Sequence, residues 1–445
     1  MQGWFHDVVG YLTDLLEEGQ VFNCRLVGED TDAVRFNGGK IRQAGHITER
    51  RLSLHLIRDE RQVAGALNLS GDITSDRFQL RRLHGDLSAA LDHVPPDPHL
   101  VFPSSVESTE DREVPHLPAM AEVLPQILDV GGEFDRVGHY MAGRIVEGVA
   151  TSIGLRRWYE THTYDLDLSL CLGLSPRDRD RSVKVVLGGT RWDSELVARR
   201  LERAREHATR LREDRVRLEP GAYRAYIAPI GWMAILRTLG WRGAFSYRAQ
   251  ENNTSPFASL HRAARLSPLF SLQENNRLGW TAPFNAQGFR RLPQLSLIEQ
   301  GAARSLLVAP RTSVEFDVPT TGAESTESPL SFEIDPGELS IHEIAKAVGD
   351  GLYLDHLHYL NLSDHATASV TGLTRFAAFR VRGGEIAEPI EVARFDDSVL
   401  ELLGDRLVGF TSERERIPEV RSYNGRSLGG ALLPGAVVDG LRIVS

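Results

Sequence analysis

Gly221-Ala222-Tyr223-Arg224-Ala225-Tyr226-Ile227-Ala228, followed at once by Pro229-Ile230-Gly231-Trp232-Met233-Ala234-Ile235-Leu236-Arg237-Thr238-Leu239-Gly240-Trp241, is the stretch on which the fold turns. The first eight residues predict an extended strand and the next thirteen an apolar helix. From Leu236 to Trp241 the helix offers no His and no carboxylate, and Arg237 gives it a fixed positive charge.

C-terminal to this stretch the pattern is strand-rich. Ser305–Ala309, Ser331–Ile334, Leu352–Leu354, Phe376–Val381 and Leu441–Val444 are short alternating runs between Gly, Pro and Asn turns, and Arg382-Gly383-Gly384-Glu385 predicts a hairpin turn. Short helices are expected over Ile341–Val348 and Asp397–Leu403, and Thr320–Ser328 is expected as an exposed loop. Residues 217–445 therefore predict a β-rich domain, sandwich-like or barrel-like.

N-terminal to it, a helix over about Phe5 to Glu18 precedes a meander. Val34-Arg35-Phe36 and Lys40-Ile41-Arg42 flank the tight-turn signal Asn37-Gly38-Gly39. Alternating Leu52, Leu54, Leu56 and then Val63, Gly65, Leu67 and Leu69 predict further strands, closed by a helix over Ser75–Ala90. Residues 93–118, rich in Pro, Ser, Asp and Glu, are expected as a linker between a first α+β unit (1–92) and a second (119–216). The second unit is predicted to open with a helix over Phe134–Glu147. The strip Tyr164, Leu166, Leu168, Leu170, Leu172 alternates with Asp165, Asp167 and Ser169, as on a strand with one wet face. Val183–Leu187 reads as another strand. The helix from Asp193 sets Val197, Leu201, Ala204, Ala208 and Leu211 on one face and Arg on the other, as on a surface or domain-bridging helix. The fold class is α+β: an N-terminal α/β half with antiparallel sheets and helices, and a β-rich C-terminal domain.

At 445 residues with 41% hydrophobic and 25% charged composition, the chain can bury a large core. No run approaches the roughly 18 apolar residues of a membrane span. The net charge of −10 argues against a general grip on nucleic acid. Two cysteines, Cys24 and Cys171, support neither a disulfide framework nor a cysteine-only zinc site, and the start lacks a signal-peptide pattern, so a cytoplasmic setting is expected.

Strand, Pro-Ile-Gly-Trp, then apolar helix resembles the TldD/PmbA family of peptidases and peptidase-like proteins. The likeness extends along the chain in collinear order. Ala33–Gly45 looks like the family's first hairpin, and Leu218–Tyr223 like the approach to its C-terminal domain. Gly351–Leu354, Leu373–Arg375 and Gly384–Ile390 look like its late strands, and Gly425–Ile443 like its end. The resemblance implies dimers that enclose a canal in which unfolded peptide is cut. It also implies a division of labour: TldD-type subunits carry an H-E-x-x-x-H helix and a downstream Cys ligand, and TldE (PmbA)-type subunits lack both. Here Leu236 and Trp241 stand where the His ligands would be and Arg237 where the Glu would be, as a plug or packing surface. Pro418–Asn424 supplies no soft ligand. The chain is thus most similar to the TldE-type subunit: no catalytic residue and no cofactor of its own, zinc on a TldD-like partner, and unfolded peptide as substrate. A stand-alone homodimer that binds peptide or assists maturation is the alternative.

Other chemistry in the chain is sparse. His356 and His358 sit two apart, with His365, Asp355 and Asp364 near in sequence, so a metallopeptidase with rewired ligands is a third reading. Solvated or core histidines are the commoner outcome of such a pattern. His342-Glu343-Ile344-Ala345-Lys346 loses a ligand to Lys, and Glu206-His207 is expected at the surface. Cys171 is expected as a half-buried structural thiol. Gly425-Arg426-Ser427-Leu428-Gly429 matches a nucleophile-elbow string, but Gly430 and Pro434 preclude the helix an elbow needs and no His follows. Glycine at a close strand crossing is the better reading.

Overall fold

The computed structural model describes residues 1–104, 106–129, 134–173, 181–420 and 425–445. Helix α1 (Gln2–Asp14) buries Phe5, Val8, Val9 and Leu12, which recur at helical spacing on one face. Strands β1 (Val21–Asn37) and β2 (Lys40–Arg58) form a long hairpin. Its two-residue turn places both Gly38 and Gly39 at positive φ, +62° and +66°, which glycine adopts without strain. β3 (Arg61–Asn68) adds to β2 and α2 (Ile73–Leu91) follows, its N-terminus capped by the Asp72 carboxylate, which accepts from the Thr74 and Ser75 N–H groups. Then come β4 (Ser108–Arg112), α3 (Met120–Asp129), β5 (Asp135–Thr151), β6 (Arg156–Cys171), β7 (Ser182–Gly189) and α4 (Ser194–Arg210).

Among the described residues these strands make one seven-stranded sheet in the order β3-β2-β1-β5-β6-β4, with β7 also on β6. The sheet takes strands from both 1–92 and 119–216. β1 pairs with β5 from Asn23↔Thr151 to Phe36↔Gly138, and β4, inside the segment read as a linker, pairs with β6.

The helix expected over Phe134–Glu147 is instead strand β5. The apolar spacing there mimics a helix because a strand paired on both edges buries residues on both faces. Gly138 and Gly143 carried the contrary signal. A Cβ on Gly138 would lie 2.0 Å from the Asp167 carbonyl oxygen, and one on Gly143 2.1 Å from that of Asp30. Glycine also costs a helix about 1 kcal/mol relative to alanine.

The C-terminal half begins with β8 (Gly221–Ile227) and α5 (Pro229–Trp241), the predicted strand and helix. Ahead lie β9 (Leu272–Asn275), β10 (Gln294–Glu299), β11 (Ala302–Ala303), β12 (Ser331–Ile334), β13 (Gly351–Leu354), β14 (His358–Asp364), β15 (Ser369–Leu373), β16 (Ala378–Arg382), β17 (Glu385–Pro389), β18 (Arg394–Ser398), β19 (Leu407–Pro418) and β20 (Gly430–Ile443). They form one branched, mixed sheet around β20, which pairs with β8, β12, β18 and β19. The loop expected over Thr320–Ser328 is present but only partly exposed. Glu327 is buried, accepting from the Ser246 hydroxyl and from the Arg248 and Ala309 N–H groups, so it ties down the start of helix Tyr247–Glu251.

The two halves share a core. Tyr140, Leu166, Val197 and Leu201 from the first half pack in one cluster with Tyr353, Phe379 and Val437 from the second. Polar contacts reinforce it: Arg200 and Arg203 on α4 both pair with Glu415 on β19. The Arg face of α4 is thus a bridge between halves. The expectation that Glu206-His207 lies at the surface fails for His207, which is buried edge-on against Tyr353 and tilted against Phe379 because α4 is covered by β13 and β16.

Candidate functional site

Helix α5 starts at Pro229, whose fixed φ and missing N–H suit the first helical position. It buries Trp232, Ile235, Leu236 and Leu239 in the main C-terminal core and lies against β14, β19 and β20. Its last two turns carry the three degenerate positions, and the structure treats them differently. Leu236 is 1% exposed, a core residue. Arg237 points off the core and forms an ion pair with Glu419, their side chains 25% and 11% exposed. Trp241 is 70% exposed and lies under the Arg237 guanidinium, 5.4 Å from ring centroid to Cζ. Leu236 therefore packs as expected, whereas Trp241 plugs nothing. The last turn of α5 turns its ring outward while the core takes Leu236.

Glu419 comes from the stretch Pro418–Asn424, just after β19; Arg421–Asn424 lie outside the described residues. The two places where the family resemblance puts ligands, the helix and the late segment, thus meet as a guanidinium–carboxylate pair. Zinc does not fit here, since Leu236, Arg237 and Trp241 offer no lone pair to it and the Glu419 carboxylate already faces a cation. Among the described residues, no three His, Cys, Asp or Glu side chains come together in a way that could hold a metal ion.

The alternative ligands are dispersed. His356 is buried, its ring edge-on to Phe376 at 5.2 Å and its Nδ1 without a hydrogen bond. Burial, only partly opposed by Asp355, brings its imidazole down to about 4, so it is neutral at physiological pH. His358 is half-buried, its Nε2 3.3 Å from Arg375 Nη1, and burial with the cations Arg375 and Lys184 lowers its pKa. His365 stands in the exposed turn after β14. Asp355 is buried, and burial raises its carboxyl pKa against the pull of Arg203. This is a cation–aromatic cluster around the Phe376 ring, with Arg375 and Lys184 also over it. Phe376 and the neighbouring Tyr359 both hold positive φ, +73° and +58°, strained for non-glycine residues.

The remaining candidates are inert. Cys24 is buried and its thiol is pushed up to about 12 by burial; Cys171 is half-buried and also raised by burial. The terminal motif is a crossing. A Cβ on Gly430 would fall 1.9 Å from the Trp280 ring. Arg426 of the same motif was not singled out in the sequence, yet it reaches the N-terminal sheet. Its Nε donates to Asp165 at 2.8 Å, its Nη2 to Thr163, and its backbone N–H to Glu29 at 3.3 Å. The supposedly wet face of β6 is therefore covered at Asp165. The signal was faint: Asp165 is one of two acids, with Asp167, among alternating leucines.

The C-terminal half, residues 221–445, matches the family of the PmbA/TldA metallopeptidase C-terminal domain. The chain belongs to the TldD/PmbA family. Solved structures share its fold over nearly its whole length. TldE from Thermococcus kodakarensis is 15% identical, covers 99% of this chain and 100% of its own, and superposes with a TM-score of 0.76. A putative modulator of a DNA gyrase from Thermotoga maritima is 15% identical over 99% of this chain and 100% of its own, TM-score 0.77. Another putative modulator of DNA gyrase, from Bacteroides thetaiotaomicron, is 13% identical over 100% and 98%, TM-score 0.77. No curated protein matches the sequence. Among the described residues no helix is long and apolar enough to cross a membrane. The TldD/PmbA assignment, reached from α5 outward, makes the chain metallopeptidase-related; the side chains on α5 bear on which role it takes.

Proposed function

We propose that this chain is a non-catalytic, metal-free subunit of a TldD/TldE-type metallopeptidase that acts on unfolded peptides, with the zinc, its water and the general base on a TldD-like partner. The observation that carries this reading is the Arg237–Glu419 pair. A charged residue of α5 and one of the late segment neutralise each other at the place where a catalytic relative would need neutral imidazoles, a thiolate and an open coordination position. The likeness of fold to TldE from Thermococcus kodakarensis supports the same role. In that role the chain walls a shared canal, and open strand edges of its sheets are suited to hold extended peptide by main-chain hydrogen bonds.

The test is metal analysis and peptidase assay on the purified chain, alone and co-expressed with a TldD-like protein. Alone, the chain is expected to carry no stoichiometric zinc and to cleave no unfolded peptide; the co-purified pair is expected to do both. One equivalent of tightly held zinc together with peptidase activity in the lone chain overturns the proposal. Failure of the chain to associate with any TldD-like partner removes the heteromeric part of it.

A further inference from the structure

A cavity of about 250 Å³ lies between the first turns of α1, strand β4 and the start of β6, with no residue of α5 in its lining. Phe5 and Trp158, both buried, wall it with rings 6.1 Å apart. His6, Ser108 and Glu110 are exposed at its mouth. Residues two apart on a strand share a face, so Arg156 stands beside Trp158 on the α1 side of the sheet.

Among the described residues, Arg156 is a half-buried cation with no acid in an ion pair with it. Its Nη1 donates to the carbonyls of Thr151 at 2.8 Å and Leu155 at 2.7 Å, which fixes the guanidinium plane. Among the described residues its Nε and Nη2 have no partner, and it forms no ion pair. The neighbouring charges are committed elsewhere. Glu110 accepts from Gln2 and Arg112, and Arg157 donates to the Gly288 carbonyl and the Thr109 hydroxyl. A half-buried guanidinium with two open donor nitrogens in a fixed plane matches a carboxylate. The aromatic wall beside it matches a flat or branched apolar body. The volume, below the roughly 300–1,000 Å³ of drug-sized pockets, limits that body to about one ring or a short chain.

We propose that this cavity binds a small monocarboxylate with an apolar body, its carboxylate on Nε and Nη2 of Arg156 and its body against Phe5 and Trp158. Two sources present this chemistry: a free acid, or the C-terminal residue of a peptide. Calorimetric titration of the full chain with phenylacetate, and with Ala-Ala-Phe carrying a free or an amidated C-terminus, separates them. Saturable one-site binding of phenylacetate assigns the site to free acids. Binding of only the tripeptide acid assigns it to chain ends. In either case Arg156→Gln is expected to weaken binding by at least about tenfold, as loss of a charge-assisted pair should. His6→Trp, on α1 at the exposed mouth, blocks the cavity from a residue that pairs with neither Arg156 nor its carbonyls, so its effect cannot be ascribed to loosening of the β5–β6 connection. No saturable binding by either acid, binding of the amide as tight as the acid, or wild-type affinity in either variant overturns the proposal.

Discussion

Replacing Arg426 by Met tests whether the terminal motif is what fastens the C-terminal half to the N-terminal sheet. The Arg426 and Asp165 side chains are 2% and 11% exposed, and Arg426 also donates to Thr163. Removing one member of a buried pair leaves the other charge without its partner and costs about 3–5 kcal/mol. The cost must depend on pH. Burial raises the Asp165 carboxyl pKa above its ordinary value, and Arg426 is the main influence drawing it back, with His139 helping less. Without Arg426 the folded-state pKa rises further. A carboxyl whose folded pKa lies above its unfolded value has its stabilisation fully present below the unfolded value and loses it as pH rises through the folded value. The Arg426→Met penalty is therefore largest near pH 7.5 and shrinks as pH falls toward 5. Urea unfolding of the full chain at both pH values, followed by tryptophan fluorescence, reads this directly. Asp165→Asn in the Arg426→Met background removes the stranded charge and is expected to recover part of the loss. A cost below about 1 kcal/mol at pH 7.5, equal costs at the two pH values, or no recovery with Asp165→Asn would refute the reasoning.

Four further substitutions read other parts of the fold. Leu236→Ala should cost about 2–5 kcal/mol in urea unfolding, because Leu236 fills the core. Trp241→Ala, five residues on along the same helix, should cost under about 1 kcal/mol, the worth of an exposed cation–π contact. Gly430→Ala drives a methyl into the Trp280 ring and should lower the urea midpoint by the equivalent of about 1–3 kcal/mol; an unchanged midpoint contradicts the crossing geometry. Glu415 is pushed up by burial but pulled down more strongly by Arg200 and Arg203, to about 2. Its contribution is present above the unfolded carboxyl value and lost as pH falls through about 2, so Glu415→Gln should flatten the acid limb of a stability-versus-pH curve.

The strand-then-helix at 221–241 was legible because extended alternation and a following apolar run are local signals, and so were the glycine turn at 38–39 and the Asp193-capped helix. Strand β5 was not legible. A strand paired on both sides buries both faces, and its apolar residues then fall at spacings a helix also produces. The site was half legible. The missing ligands can be read from Leu236, Arg237 and Trp241, but nothing in the sequence announces that Glu419, some 180 residues further on, meets Arg237. The outward turn of Trp241 is equally invisible, because which side of a helix is covered depends on β14, β19 and β20, not on the helix itself. His207 was misplaced for the same reason: an imidazole among arginines looks like surface until β13 and β16 cover it.

If the chain is metal-free as proposed, the Arg237–Glu419 pair supplies a way for the fold to dispense with a metal. A zinc ion at such a place does two things: it joins a helix to a distant segment, and it acts as a Lewis acid on water or a carbonyl. A guanidinium does the first and not the second. It is planar, stays protonated, and offers directed hydrogen bonds to a carboxylate, so it joins α5 to the end of β19 as a fixed cation. It has no empty coordination position and cannot lower the pKa of a bound water. Stacking on Trp241 shields one face of the guanidinium and limits its freedom to leave Glu419. In the role proposed above, the pair keeps a cross-link between helix and late segment without supplying that chemistry, which is what a subunit that leaves catalysis to a partner requires.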